Sequence, residues 1–244
     1  MNEKIMLIGG PGTGKSTQLR NVIDYLEEKN KRVFVIDLEG KFETMILDST
    51  PKNMELFTAI YWQDIKVVHE KFESKIKEGD WILVDRIDLS WPAVQRWFAL
   101  ERYEIELADK LVDQAKAMKK SSMFIPEFDQ GSWQPINAQY DTFILRLLHK
   151  YKANIIFTAG VTKMRDDVST SIYEVFGHLG VVPRGQKELS HQPHSVLLLH
   201  HKIVDKEIEW LITTAKDIKG REYFKNERLY DFSMQYLSKY GSRK

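Results

Sequence analysis

The chain is 244 residues long, with 43% hydrophobic and 29% charged residues and a formal net charge of +1. This length suffices for one domain with a full core, and the near-zero charge excludes a chain-wide electrostatic attraction to nucleic acid. The absence of cysteine excludes disulfide bonds and thiolate metal sites. We therefore expect a single domain over residues 1–244, in which any contact with nucleic acid is local.

We expect neither a membrane span nor a secretion signal. No apolar run reaches the roughly 18 residues that indicate a membrane helix. The start, MNEKIML, lacks a basic region followed by an apolar stretch and a small-residue cleavage site. The expectation is a cytoplasmic protein without membrane contacts, located in the host cytoplasm if its source is viral.

Short apolar runs alternate with segments of helical periodicity in the first part of the chain. Apolar residues recur at the spacing of a helix face in KSTQLRNVIDYLEEKNK, and DIKVVHEKFESKIKEGD is also predicted to be helical. The apolar runs around them predict four strands, at residues 4–8, 33–40, 54–62 and 81–88. This alternation implies parallel strands joined by crossovers, so we predict an α/β fold.

The second half continues this pattern and ends in a pair of strands. Residues 92–120 and 137–153 are predicted helices, joined by a loop at 121–135 that is rich in Pro, Gly and Ser. A strand is predicted at 154–160, followed by a polar stretch of weak periodicity at 161–192. The runs HSVLLLHHKI and KEIEWLITTAK then predict an antiparallel hairpin. The complete expectation is a three-layer α/β sandwich with a mostly parallel central sheet and this C-terminal hairpin.

The stretch GGPGTGKST fits the phosphate-loop pattern G-x-x-x-x-G-K-[ST] and lies between a predicted strand and a predicted helix, as that pattern requires. Its glycines permit positive φ and a close backbone approach, while its N–H groups and the helix N-terminus favour phosphate. We predict that Lys15 reaches the β- and γ-phosphates and that the Ser16 hydroxyl binds Mg²⁺. The predicted phosphate-binding residues are Gly9, Gly10, Pro11, Gly12, Thr13, Gly14, Lys15, Ser16 and Thr17.

A second Mg²⁺ ligand is predicted at the end of the fourth strand. Asp85 directly follows the apolar run WILV, which resembles the Walker B pattern, in which an acid binds magnesium mostly through water. The alternative is a surface acid at a strand end. Asp88 is the weaker candidate, because we expect it to lie beyond the strand.

Glu39 is the candidate base for activating water. It ends the second predicted strand, and side-chain alternation places Asp37 and Glu39 on the same side. Together with Gly9–Ser16 and Asp85, this resembles the RecA-like ATPases, whose second core strand ends in an acid that polarises the attacking water. The resemblance implies a RecA-like P-loop NTPase core, ATP and Mg²⁺ as cofactors, and Lys15, Glu39 and Asp85 as catalytic residues. The alternative for Glu39 is a solvated acid that starts a turn.

Further segments resemble a group of phage-type AAA and RecA-like nucleotide-binding proteins. These are LVDRIDLSW, NIIFTAGVTK and WLITTAKDIKGREYF, and the resemblance covers most of residues 1–225. In that group a Lys and a small turn close a late hairpin, as Lys216 to Arg221 do here. Some members are recombination or single-strand annealing ATPases, and the group tends to form rings or filaments. The resemblance therefore implies a homo-oligomer, with single-stranded DNA as a candidate partner.

The resemblance also indicates where a sensor and additional cations would lie. RecA-like proteins commonly carry Gln or His on the strand beside the phosphate-loop strand, whereas this chain has Thr158, with Thr162 as the other candidate and a missing sensor as the alternative. Lys163 and Arg165 are candidates for contacting the γ-phosphate, either in the same chain or in a neighbouring subunit. Arg184 and Lys187 are candidates for contacting DNA phosphates or a neighbouring subunit's ATP. For all four cations, a solvated loop is the alternative.

Other functions share the phosphate loop. A nucleoside monophosphate-like kinase has a similar loop, but the acceptor-site arginine signature of such enzymes is missing from the sequence. A GTPase requires N/T-K-x-D, and in TKMRDD the first Asp comes one residue too late. A motor for assembly or packaging would use the same site residues. We predict a Mg²⁺-dependent ATPase acting in DNA recombination, annealing or related DNA transactions, with the kinase and the motor as open alternatives.

Overall fold

The computed structural model describes residues 2–47, 49–121, 128–218 and 223–240. The strands within these ranges are β1 Lys4–Gly9, β2 Val33–Asp37, β3 Met54–Thr58, β4 Trp81–Asp85, β5 Asn154–Ala159, β6 Val161–Lys163, β7 Val181–Pro183, β8 Ser195–Val204, β9 Glu207–Asp217 and β10 Glu227–Arg228. The α-helices are α1 Lys15–Glu28, α2 Trp62–Glu73, α3 Ser90–Tyr103, α4 Leu107–Ser121, α5 Gln130–Leu145, α6 Thr170–Phe176 and α7 Ser238–Tyr240. Short 3-10 helices occupy Phe42–Met45, Ile87–Leu89, Gly177–Leu179 and Lys187–His191, and π-helical turns occupy Arg146–Lys150 and Ser233–Leu237.

Within the described part of the chain, eight strands form one sheet in the order β10-β9-β8-β1-β5-β4-β2-β3. From β8 to β3, neighbouring strands run parallel, whereas β9 is antiparallel to both of its neighbours, β8 and β10. A separate two-stranded antiparallel sheet joins β6 to β7. The predicted α/β fold, with a mostly parallel sheet and a C-terminal antiparallel hairpin, is confirmed.

Helices cover both faces of the large sheet, which makes the three layers. Along β1, Met6 and Ile8 pack into a core with side chains of α2, α3 and α5, while Ile5 and Leu7 pack into a second core with α1 and Ser233–Leu237. These four β1 side chains are fully buried. Parallel strands buried on both faces read as continuous apolar runs, which explains the run KIMLI in the sequence.

The third strand is shorter than its apolar run predicted. It ends at Thr58, and the next backbone N–H, that of Ala59, still donates to Asp37 O of β2 at 2.9 Å. Trp62, expected to end the strand, instead begins α2, and its side chain is only 1% exposed. An aromatic residue that anchors a helix to the core is therefore indistinguishable, in this sequence, from one that extends a strand.

The predictions for residues 92–135 were partly wrong. The expected helix at 92–120 is interrupted after Tyr103, where Glu104 takes a left-handed φ of 55° before α4 begins. The expected loop at 121–135 becomes helical from Gln130, because the Asp129 side chain accepts from Ser132 N–H at 2.8 Å and caps α5. The remainder of that loop, residues 122–127, lies outside the described residues.

The end of the chain completes the antiparallel edge of the sheet. The strand β9 continues to Asp217, so Lys216 is part of a strand, and its Nζ donates to His191 O at 2.8 Å. The rest of the predicted closing turn, residues 219–221, lies outside the described residues. Among the helices that the structure describes, none is long and apolar enough to cross a membrane.

Candidate nucleotide-binding site

The carboxyl ends of the parallel strands meet at one edge of the sheet and border a cavity of about 350 Å³. In the strand register Asp37 lies opposite Asp85, so the segments that follow β2 and β4 leave the sheet side by side. The phosphate loop follows β1 at the same edge, and the segment after β5 contributes Gly160. The cavity is lined by Gly9, Pro11, Gly12, Thr13, Gly14, Lys15, Ser16, Thr17, Glu39, Met45, Arg86, Gly160, Val161 and Arg184.

Glycines shape the phosphate loop in two ways. Gly12 and Gly14 have φ of 71° and 84°, a backbone that L side chains rarely adopt, and no atom of the described residues lies within 4 Å of where a Cβ would stand. At Gly9 a Cβ would lie 2.4 Å from Leu199 O and 2.4 Å from Thr13 Oγ1, so the loop packs directly against β8 there. The loop is therefore anchored at its start and open toward the cavity at its tip.

Lys15 is held by the loop's own backbone. Its Nζ donates to Gly9 O at 2.9 Å and to Gly10 O at 2.7 Å, and the residue is 9% exposed. Burial lowers the pKa of Lys15, and the nearby positive charge of Arg86 lowers it further. Phosphate oxygens are stronger acceptors for an ammonium group than neutral carbonyls, so an anion in the cavity would stabilise the charged form.

Asp85 is buried at the end of β4 and is held by two hydroxyl groups. Ser16 Oγ donates to Asp85 Oδ2 at 2.9 Å, and Thr158 Oγ1 donates to Asp85 Oδ1. The Arg86 backbone N–H in turn donates to Thr158 Oγ1 at 2.8 Å. Burial raises the pKa of Asp85, and the hydrogen bonds from Thr158 and Ser16 act in the opposite direction. Asp85 is thereby fixed beside the first turn of α1.

A family model described as an AAA domain matches residues 1–236. The chain belongs to the AAA-domain family. Membership supports a P-loop, nucleotide-binding protein of the ATPase type, which agrees with the coarse prediction from the sequence. No curated protein matches the chain.

The oxygen atoms of this AAA domain fit a magnesium ion that is bound together with a nucleotide. Mg²⁺ is usually held by one or two carboxylates, water and substrate phosphates. Asp85 supplies a carboxylate and Ser16 a hydroxyl group, and Ser16 Oγ lies 2.9 Å from Asp85 Oδ2 beside the phosphate loop. Both atoms are oxygen ligands of the hard type that Mg²⁺ prefers. Among the described residues, no cluster of three His, Cys, Asp or Glu side chains could hold a metal ion on protein ligands alone. The donor set therefore fits the nucleotide-linked ion that the family implies.

The two acids of β2 and its following turn have different roles. Asp37 is fully buried, and its carboxylate accepts from the backbone N–H groups of Glu39, Gly40 and Phe42 at 2.8–2.9 Å. It therefore holds the turn after β2. Glu39 lines the cavity of the AAA domain, where its Oε1 accepts from Arg86 Nη1 at 3.2 Å and Lys41 Nζ at 3.0 Å. Of the predicted pair, Glu39 alone faces the site.

The predicted sensor and cations are placed unevenly around the cavity. Thr158 is fully buried behind Asp85 and is not among the lining residues, so its hydroxyl positions Asp85. Arg184 does line the cavity, and its Nε donates to Val161 O at 3.0 Å. The remaining candidates are not among the lining residues. Thr162 and Lys163 are exposed on β6, and Arg165 is exposed just after it. Lys187 begins a 3-10 helix, and its side chain lies outside the described part of the structure.

Sequence reasoning missed Arg86 and undervalued Asp88. Arg86 lines the cavity of the AAA domain. Asp88 is 4% exposed, and its carboxylate accepts two hydrogen bonds from the Arg86 guanidinium. A usable signal was present, because a residue directly after the strand-end acid Asp85 must lie at the same sheet edge. The direction of its side chain was not readable, since it depends on a left-handed φ of 62° that a non-glycine residue rarely adopts.

Replacing Thr158 with valine should destabilise the AAA domain most at neutral pH. Burial raises the pKa of Asp85 in the folded state above 3.8, its value in the unfolded chain. The protonated carboxyl group therefore stabilises the fold at pH values below 3.8, and this stabilisation is lost as the pH rises through the pKa of the folded state. Thr158→Val removes a donor to the carboxylate and raises the folded pKa further. We expect the free energy of unfolding to fall by about 1–3 kcal/mol near pH 7, and by less near pH 5.

Urea unfolding of the wild type and the variant at both pH values measures this difference. Thr162→Val is the matched control, because Thr162 is exposed on β6 and its hydroxyl is not part of the Asp85 network. An equal loss of stability at both pH values would mean that Thr158 contributes through its hydrogen bond from the Arg86 N–H and not through the charge of Asp85.

Proposed function

We propose that this protein is a Mg²⁺-dependent ATPase that hydrolyses ATP and couples hydrolysis to transactions of single-stranded DNA. The observation that carries the catalytic part is the placement of Glu39 in the same cavity as Lys15 and Ser16. A carboxylate that lines the cavity at the same sheet edge as the phosphate loop is suited to accepting a proton from a water molecule. The DNA part rests on the resemblance to recombination and annealing ATPases.

The residues of the phosphate loop would bind and orient the triphosphate. Lys15 Nζ, now bonded to Gly9 O and Gly10 O, has acceptors that phosphate oxygens can replace. The N-terminal turn of α1 points its free N–H groups toward the same cavity, beginning at Lys15 after the left-handed Gly14. Positioning and electrostatic stabilisation account for most catalysis of phosphoryl transfer, so these contacts are the main contribution of the loop.

The acids complete the proposed reaction. Ser16 and Asp85 would hold the Mg²⁺, which when bound neutralises charge on the β- and γ-phosphates. Glu39 would orient the attacking water and accept its proton. Arg86 and Lys41 hold the Glu39 carboxylate at the cavity in the described structure, so no large rearrangement is needed to bring it to the site.

The route from the nucleotide to DNA would pass through the segment after β5. Gly160 and Val161 line the cavity, and Val161 is also the first residue of β6, which continues to Lys163 and then to Arg165. Both cations are exposed and neither is among the residues that line the cavity, so we assign them to DNA phosphates instead of the γ-phosphate considered for them from the sequence. A shift of Gly160 on nucleotide binding would therefore be transmitted along the chain to these cations. Assembly into a ring or filament belongs to the same proposal and rests on the RecA-like resemblance.

Phosphate release from ATP, measured with and without single-stranded DNA, tests this function. We expect Mg²⁺-dependent release that single-stranded DNA stimulates at least about threefold, because DNA contacts would favour the catalytically competent arrangement. The matched variant Lys163→Ala with Arg165→Ala should keep the basal rate and lose the stimulation. Release without stimulation would leave the ATPase and overturn the DNA part. Phosphoryl transfer to nucleoside monophosphates, followed in the same samples, would establish the kinase instead.

A further inference from the structure

Arg86 has an unusual backbone and a fixed side chain. It directly follows Asp85 at the end of β4 and adopts a left-handed φ of 62°. Such a conformation costs a non-glycine residue about 1 kcal/mol or more and persists only where the surroundings hold it. Here the Arg86 N–H is held by Thr158 Oγ1, and its guanidinium is held by Asp88 and Glu39. The strained turn directs the guanidinium into the cavity.

Asp88 fixes two of the three guanidinium nitrogens. Arg86 Nε donates to Asp88 Oδ1 at 3.0 Å and Nη2 donates to Oδ2 at 3.1 Å, which is a side-on bidentate pair. The backbone at Gly160 and Gly185 packs closely against Asp88, which limits its movement. A Cβ added at Gly160 would stand 3.1 Å from Asp88 Oδ2, and one added at Gly185 would stand 3.4 Å from Asp88 Cα. A carboxylate that is 3% exposed also requires its counter-charge to remain in place.

The third nitrogen, Nη1, faces the site. It donates to Glu39 Oε1 at 3.2 Å, which uses one of its two hydrogens, and Arg86 is a lining residue of the cavity. Lys15 and Arg86 both line this cavity, each with a positively charged side chain. Two like charges directed into one cavity repel each other, and an anion bound between them removes that repulsion.

Given the ATPase function proposed above, we propose that Arg86 binds the terminal phosphate of ATP from within the same chain, and that Asp88 is its positioning residue. The terminal phosphate is the one concerned because Arg86 adjoins the magnesium acid Asp85 and contacts the candidate base Glu39. Asp88 holds the guanidinium in advance, so little side-chain entropy is lost on binding. Nη1 then serves the phosphate and Glu39 together, which places the base beside the group to be attacked.

The affinities for ADP and for a non-hydrolysable ATP analogue, measured by equilibrium titration, test this role without relying on turnover. Arg86→Ala should weaken binding of the analogue by at least about tenfold, equivalent to about 1.4 kcal/mol, while ADP affinity changes less than about twofold. Arg86→Lys should recover part of the loss. Asp88→Asn should weaken binding of the analogue more than binding of ADP, but by a smaller factor than Arg86→Ala. In this variant the guanidinium is still present but has lost one of the two carboxylate oxygens that hold it. The control Arg96→Ala, at an exposed position of α3, should change neither affinity.

The variants also separate this proposal from failure to fold and from failure of the ATPase function. Thermal unfolding identifies a misfolded Arg86→Ala, and Arg86→Met combined with Asp88→Asn then replaces it, because that pair removes both charges together. An equal loss for both nucleotides, or no loss for either, overturns the role of Arg86. The wild-type protein could bind ATP without hydrolysing it, while Arg86→Ala has reduced affinity for the analogue alone. That result would overturn the ATPase function and leave Arg86 as a ligand of the terminal phosphate.

Discussion

Replacing Lys15 with alanine is expected to abolish measurable nucleotide binding. The ammonium group is the charged donor of the phosphate loop, and Gly9 O and Gly10 O hold it over the cavity. Hydrogen bonds to charged groups contribute about 1.5–3 kcal/mol each, so losing two or more such bonds to phosphate should weaken ATP affinity by at least about 100-fold. Equilibrium titration with a fluorescent ATP analogue measures the change.

Lys29→Ala is the matched control for this variant. Lys29 is an exposed lysine at the opposite end of the same helix, so its replacement removes equal charge away from the cavity. A thermal unfolding curve close to that of the wild type shows that Lys15→Ala keeps its fold. ATP affinity within about threefold of the wild type in Lys15→Ala would contradict the assignment of this loop as the phosphate site.

Replacing Glu39 with glutamine should leave ATP binding nearly intact and cut hydrolysis by at least about 100-fold. A positioned general base contributes roughly 10²–10⁴-fold to rate, and an amide cannot accept the proton. Glutamine keeps an Oε1 atom that can still accept from Arg86 Nη1, so the local geometry should be retained. Single-turnover hydrolysis together with a binding titration separates the chemical step from affinity.

Glu43→Gln provides the control, because Glu43 is an exposed glutamate of the neighbouring 3-10 helix and does not line the cavity. Wild-type turnover in Glu39→Gln would remove Glu39 from the mechanism. A large loss of ATP affinity in that variant, with an unchanged chemical rate, would instead assign Glu39 to substrate binding.

The phosphate loop and the strand-end acids were predictable because their positions depend on local sequence and on one property of parallel sheets. A loop such as GGPGTGKST needs only its own glycines and the helix that follows, and both are adjacent in the chain. Asp85 and Glu39 could be placed near it because the carboxyl ends of parallel strands meet at one edge. Alternation along β2 could not separate Asp37 from Glu39, since the chain turns after Asp37 and that carboxylate is used by the turn.

The sequence by itself thus determined the α/β class, the phosphate loop and the sheet edge at which the acids lie, because each follows from patterns within one element and its neighbour. Only the tertiary structure decided that Thr158 lies behind Asp85, that Arg86 turns into the cavity, and that Asp88 holds it. Some of these contacts join segments that follow different strands, such as Arg86 after β4 and Glu39 after β2. The Arg86–Asp88 pair is close in sequence, but its direction depends on the left-handed φ of Arg86 and on the burial of Asp88. None of these quantities is encoded in a local pattern of residue types, so the electrostatic arrangement of the site becomes visible only in the fold.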